Sequence, residues 1–197
     1  MKYRILLSSI ALALGASSLF AQTTTVDTVQ RDVNQQTRIE NGLKNGSLTV
    51  KEAGRLEKEQ GQIDRLQAKE LKDGKLTSAE RAQLRRAQNR ANRDIKAAEA
   101  NAAKGNPDSK SNQRLQADVQ RNVNQEKRIE QGVQSGALTN REVGALESGQ
   151  ARVTGSEAAA ARDGHIGNAE QAAIQHRENR QSERIHGKKH NTIVNKS

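Results

Sequence analysis

The chain has 197 residues, with 33 lysines and arginines against 23 aspartates and glutamates, a formal charge of +10. It contains no cysteine or tryptophan, one proline, and one each of Met, Tyr and Phe. Disulfide support and thiol chemistry are therefore excluded, as are the aromatic platforms on which single-stranded nucleic acid stacks. An apolar substrate pocket of the usual kind is hard to build from what remains.

At the N-terminus, Lys2 and Arg4 precede an apolar run from Ile5 to Leu14, and small residues lead to Ala21. That order predicts a secretory signal peptide over residues 1–21. The run falls short of the roughly 20 apolar residues that a membrane span needs, so no transmembrane segment is expected after cleavage. Tyr3, Phe20 and Met1 belong to this leader, and losing Lys2 and Arg4 takes the charge from +10 to +8. The protein is expected to be periplasmic or secreted, with a thin core of Leu, Ile and Val.

The remainder is an internal duplication. Arg31, Val33, Asn34, Gln35, Arg38, Ile39, Glu40 and Gly42 recur 90 residues later as Arg121 to Gly132, and Asp73, Gly74 and Glu80 recur as Asp163, Gly164 and Glu170. Each copy spans about 75 residues. The predicted organisation is a first unit over 22–104, a Gly- and Pro-containing linker over 105–111, a second unit over 112–190 and a tail over 191–197.

Each copy reads as three helices. Val26, Val29, Val33, Ile39 and Leu43 mark the first; Ala53, Leu56, Ile63, Leu66 and Leu71 the second; Leu84, Ala91, Ile95 and Ala98 the third. Spacings of three, four and seven give each a narrow apolar stripe, and Gln, Glu, Lys, Arg and Ala between them favour helix. Nothing alternates with the period of a strand. The expected fold is all-α, two tandem three-helix units joined by short Gly-Leu-Thr turns.

Four blocks mark the joints: NGSLTVKE (Asn45–Glu52), DGKLTSAE (Asp73–Glu80), SGALTNRE (Ser135–Glu142) and DGHIGNAE (Asp163–Glu170). Glycine followed six residues on by glutamate matches the second half of an EF-hand calcium loop, which makes Asp73, Glu80, Asp163 and Glu170 candidate ligands. The first half departs from that pattern, because Leu43, Leu71, Val133 and Ala161 stand where a second ligand belongs. A helix joint accounts for more of the block. The glycine ends one helix in the left-handed conformation, and Thr49, Thr77 and Thr139 cap the next, each with a glutamate three residues on.

Helix-rich repeats with DGxLTxxE turns behind a signal peptide resemble small uncharacterised secreted proteins of Gram-negative bacteria, whose half-loops are degenerate EF-hand-like. The resemblance implies compartment and fold and carries no activity.

Two side-chain groups remain. His186 and His190, four apart on one helix face, are a candidate pair for a transition metal, although Lys188 and Lys189 beside them oppose a cation. Arg81, Arg85, Arg86, Arg90 and Arg93 in the first copy, and Arg177, Arg180 and Arg184 in the second, form basic stripes on the third helices that attract anionic polymers or cell-surface components. No motif for sequence-specific nucleic-acid readout is present, and no nucleophile elbow or HExxH points to catalysis. The expectation is an exported, non-enzymatic binding protein for anionic surfaces. The alternative is a metal-ion binder, holding a calcium-like ion at the turns or a transition metal at the histidines.

Overall fold

The computed structural model describes residues 16–191, with side chains from Thr24 onward. Residues 1–15 of the expected leader and 192–197 of the expected tail lie outside the described residues. Six helices follow in order: α1 (Ala16–Asn45), α2 (Val50–Glu70), α3 (Ser78–Ala100), α4 (Lys110–Gln134), α5 (Asn140–Ala160) and α6 (Asn168–Lys189), with a 3-10 turn at Ala161–Asp163. The protein is all-helical, and no strand occurs among the described residues. None of these helices is long and apolar enough to cross a membrane.

The joints between helices are built by the four repeated blocks. Gly46, Gly74, Gly136 and Gly164 all adopt positive φ, between 72° and 88°, a region closed to most side chains but open to glycine. Thr49, Thr77 and Thr139 each accept the N–H of Glu52, Glu80 and Glu142, and each glutamate accepts the threonine's N–H in return. The fourth joint keeps half of this arrangement, since Gly167 has no hydroxyl and only its N–H reaches Glu170, at 2.8 Å. Leu48, Leu76, Leu138 and Ile166, one residue before these caps, are all buried. Each staples its joint to the core.

Packing runs chiefly across the duplication. α2 lies along α5 and α1 along α4, more extensively than any pair within one copy. Gly54 and Gly144, equivalent positions 90 residues apart, permit that approach. A Cβ on Gly54 would come within 2.5 Å of Ala161, and one on Gly144 within 3.0 Å of Leu71.

Two apolar cores result, each drawn from both copies. One gathers Ile39, Leu43, Leu56, Leu115, Val119 and Ile174 among others. The second gathers Val29, Leu84, Ile129, Val133, Leu146 and Ile185 among others. Ile39 and Ile129, Leu43 and Val133, and Leu56 and Leu146 are repeat equivalents, so exchanging the copies exchanges the cores. Every helix has residues of one core near one end and of the other core towards the opposite end. A burial of about 1.5–3 kcal/mol per large aliphatic side chain holds both ends.

Between the two cores the same helices bury polar residues. Asp32, Gln35 and Gln36 lie between Val29 and Ile39 on α1; Glu57, Gln60, Asp64 and Gln67 lie between Leu56 and Leu71 on α2. Asn122, Gln125 and Glu126 fill the middle of α4, and Glu147, Gln150, Thr154 and Glu157 that of α5. The molecule is thus a helical bundle with apolar ends and a polar middle layer.

Candidate functional site

The residues singled out from the sequence fall in separate places. Asp73 and Asp163 each use Oδ1 to accept a backbone N–H two residues on, from Lys75 and His165, both at 2.8 Å. Glu80 and Glu170 cap the following helices. Thr77's hydroxyl and N–H hold the Glu80 carboxyl below its ordinary range. These four acids therefore work as turn and cap acceptors. The rings of His186 and His190 lie 4.2 Å apart, and His190 Nδ1 is 2.8 Å from the His186 carbonyl. That contact leaves His190 its Nε2 for any further ligand.

The two basic stripes differ in their surroundings. On α3, Arg81 spends its guanidinium on the Leu76 carbonyl and the Ser78 hydroxyl. Arg85, Arg86, Arg90 and Arg93 are exposed, and Arg90, with Arg55, lies close enough to Glu59 to counter part of the rise that burial and Asp94 cause there. On α6, Arg177, Arg180 and Arg184 join Arg152 of α5 around a cleft of about 350 Å³ floored by Gly149 and Val153, with no carboxylate in its lining. Burial and the charge of Arg152 push the Arg184 guanidinium below its ordinary range. The first-copy equivalents of Gly149 and Arg184 are Glu59 and Asp94, so the duplicate has exchanged two acids for a glycine and an arginine. A Cβ on Gly149 would meet the Gln181 amide oxygen at 1.9 Å, so any larger residue there would have to displace that side chain.

A second cleft of about 350 Å³ opens between α2 and α5, where Lys51, Arg55, Lys58, Arg65 and Arg162 surround a floor of small residues. Lysines and arginines at 51, 55, 58 and 65 share one face of α2 by helical spacing. Arg152, Gly155 and Ala159 likewise follow one face of α5, which borders both clefts, and Arg162 follows in the 3-10 turn. Arg152 and the whole α2 cleft escaped the sequence reading, which weighed only the third helices. The 51-55-58-65 spacing was the available signal.

The interior layer was also missed. Eight carboxylates, Asp32, Glu57, Asp64, Asp118, Glu126, Glu147, Glu157 and Glu178, are 3% exposed or less. Among the described residues, the sole ion pair they make is Arg121 to Glu178, at 2.9 Å. Burial dominates their electrostatics. It pushes Asp32, Glu57 and Asp118 up to about 7 and Glu126 up to about 8. Asp64, Glu147 and Glu157 are raised well above the ordinary range, first by burial and then by neighbouring acids.

The eight divide into two groups. Glu57, Asp118, Glu157 and Glu178 are supplied with donors: Gln36 reaches Glu57 at 3.0 Å, Gln171 reaches Asp118 at 2.7 Å, and Asn122 reaches both oxygens of Glu157. Asp32 is similarly held by Gln67 and by Gln88, the latter at 2.8 Å. Asp64, Glu126 and Glu147 are not. One carboxylate oxygen from each lies within 4.8 Å of the others. Asp64 receives only the Thr154 hydroxyl, at 3.3 Å, while Glu126 Oε2 and both oxygens of Glu147 accept nothing.

No family of known proteins, no curated protein and no solved structure matches this chain.

Proposed function

We propose that this is an exported, non-enzymatic binding protein, two tandem three-helix units closed on each other, whose outer surface takes an anionic polymer. The observation that carries the reading is the pair of acid-free basic clefts, one lined by Arg152, Arg177, Arg180 and Arg184 and the other by Lys51, Arg55, Lys58, Arg65 and Arg162. Both are open to solvent, and both border α5. A linear polyanion following the exposed face of α5 would meet positive charge at each end of its path. Arg152 gives one donor to the Ser148 hydroxyl and Arg184 one to the Ala145 carbonyl, and with no carboxylate in the same cleft the other guanidinium donors remain for phosphate, sulfate or carboxylate groups. The acid-for-arginine exchange at position 184 supports the same reading, because it raises local charge where the first copy balances it.

Binding of heparin, as a model linear polyanion, tests this. The affinity should fall steeply with salt, because counterions are released at each contact and exposed charges are screened within about 10 Å at 0.1 M ionic strength. Replacing Arg177, Arg180 and Arg184 with glutamine should weaken binding more than replacing Arg85, Arg86 and Arg93. Equal losses from the two triples, or no binding at low salt, would sink the reading.

A further inference from the structure

We propose that Asp64 of α2, Glu126 of α4 and Glu147 of α5 bind one hard, oxygen-seeking metal cation inside the bundle. The inference is independent of the basic surface, and it relocates metal binding from the turns to the polar layer.

Geometry comes first. Three carboxylate oxygens within 4.8 Å of one another share a point no more than about 2.8 Å from each, so a shift of a few tenths of an ångström gives the 2.3–2.6 Å that calcium-sized ions take from oxygen. The three donors come from three helices, so the set exists only when the bundle is closed. Acids cluster for many reasons, and the cluster alone is not the argument. The second observation is Gln150. Its amide is 1% exposed, with its nitrogen close enough to the Glu126 carboxylate to lower it though not in good hydrogen-bonding geometry, and its oxygen accepts nothing. A buried amide left open beside open carboxylate oxygens is what a site for a cation requires, since the Gln150 oxygen can turn towards the ion. Unmet buried polar atoms of this kind otherwise carry a desolvation cost.

Charge supports the same conclusion. Asp32 lies near enough to raise Asp64, Glu126 and Glu147 further, and no lysine or arginine pairs with the three among the described residues. Buried carboxylates without a counter-ion either keep protons or take a cation. The donor set contains oxygen only, with neither sulfur nor imidazole, which selects hard ions such as Ca²⁺, Mn²⁺ or a lanthanide over zinc or copper. The repeat-equivalent positions explain why one ion is expected and not two. They are Gln36, Glu57 and Thr154, a set with a single carboxylate, which Gln36 already occupies.

Equilibrium dialysis of the purified protein against Ca²⁺, Mn²⁺ or Tb³⁺, with metal counted per chain, is the test. One ion per chain is expected for at least one of them. Glu126→Gln and Glu147→Gln should each weaken it by more than about 100-fold, beyond the loss of an outer-shell partner. Paired Asp73→Asn/Glu80→Gln and Asp163→Asn/Glu170→Gln changes should leave it intact. Thermal melts separate binding from folding. In chelator at neutral pH, Glu147→Gln should melt no lower than wild type, because it replaces a buried carboxyl group that makes no hydrogen bond with a neutral amide of nearly the same shape. With the ion present, the order should reverse. No bound ion, retention of the ion in both interior variants, its loss in the turn variants, or a lower melt of Glu147→Gln in chelator would each overturn the proposal.

Discussion

Asn122 donates to both carboxylate oxygens of Glu157, at 3.0 and 2.8 Å, from α4 across to α5. Ninety residues earlier the same contact recurs with acid and amide exchanged, Gln67 of α2 donating to Asp32 of α1. The duplication has kept one charge and one amide at each place, which is the arrangement that satisfies a buried carboxylate without a counter-ion.

Breaking that complementarity should be costly in a pH-dependent way. Asn122→Asp sets two acids against each other in the layer. It should destabilise the protein by about 1–3 kcal/mol at neutral pH, and the loss should shrink in acid as the added group takes up a proton. Urea denaturation followed by circular dichroism at pH 7 and pH 5 measures both values. An equal loss at the two pH values would show that shape rather than charge is responsible.

The layer also fixes the sign of the wild-type pH response. The groups concerned are Asp32, Glu57, Asp64, Asp118, Glu126, Glu147, Glu157 and Glu178, faced by Arg121 and, more distantly, Arg31. Their folded values lie above the ordinary 3.8–4.5, reaching about 7 to 8 where burial acts on Asp32, Glu57, Asp118 and Glu126. Between those limits the folded state holds more protons than the unfolded one, so stability declines as pH rises. In chelator the melting temperature should therefore fall from about pH 5 to pH 8. A melting temperature that climbs over that interval would contradict the buried-acid layer.

The fourth helix joint offers a gain. Gly167 sits at φ −78°, ψ 171°, close to the cap conformation of Thr139 at −78°, 156°. A Cβ there meets only Glu170 Oε2, at an ordinary 3.6 Å. Gly167→Thr should complete the capping box and restrict the unfolded chain, raising stability by about 0.5–1 kcal/mol. Thr77→Ala should lower it by about 1 kcal/mol. Paired thermal melts of the two variants read out opposite signs.

Arg184→Asp copies the first repeat into the second. The position is exposed, so stability should change by no more than about 0.5 kcal/mol. Heparin affinity should nonetheless drop, and the slope of log affinity against log salt should flatten as contacts are lost. Binding with an unchanged salt slope would remove Arg184 from the polyanion surface.

Much of the local architecture was legible. The blocks around Gly46, Gly74 and Gly136 contain the whole machinery of a helix joint within eight residues, the block around Gly164 lacks only the capping threonine, and Leu48 or Ile166 needs only its own turn to act as a staple. Nothing in the local sequence marks the acids at 64, 126 and 147 as interior, because helix-forming segments rich in charge normally present it to water. One signal lay unused in the duplication. Asp32 and Asn122, Gln36 and Glu126, Gln67 and Glu157, and Gln88 and Glu178 are equivalent positions that differ only by acid for amide. Exchange between shapes so similar, at four places, is the pattern of a packed polar interior. The basic clefts were half visible: Arg177, Arg180 and Arg184 share a stripe on α6, whereas Arg152 joins them, and Arg162 joins the basic face of α2, only through the placement of α5 and the turn after it.

By itself the sequence determined where the four helix joints lie, because caps, left-handed glycines and staples act between residues a few positions apart. It also determined that the fold is built twice. Only the tertiary structure decided which helix face is the inside. An acid at helical spacing is compatible with either water or a partner until α2 meets α5 and α1 meets α4, contacts that join residues about ninety positions apart. Those pairings put eight carboxylates between two apolar cores, where desolvation changes their protonation and leaves three of them open to a cation.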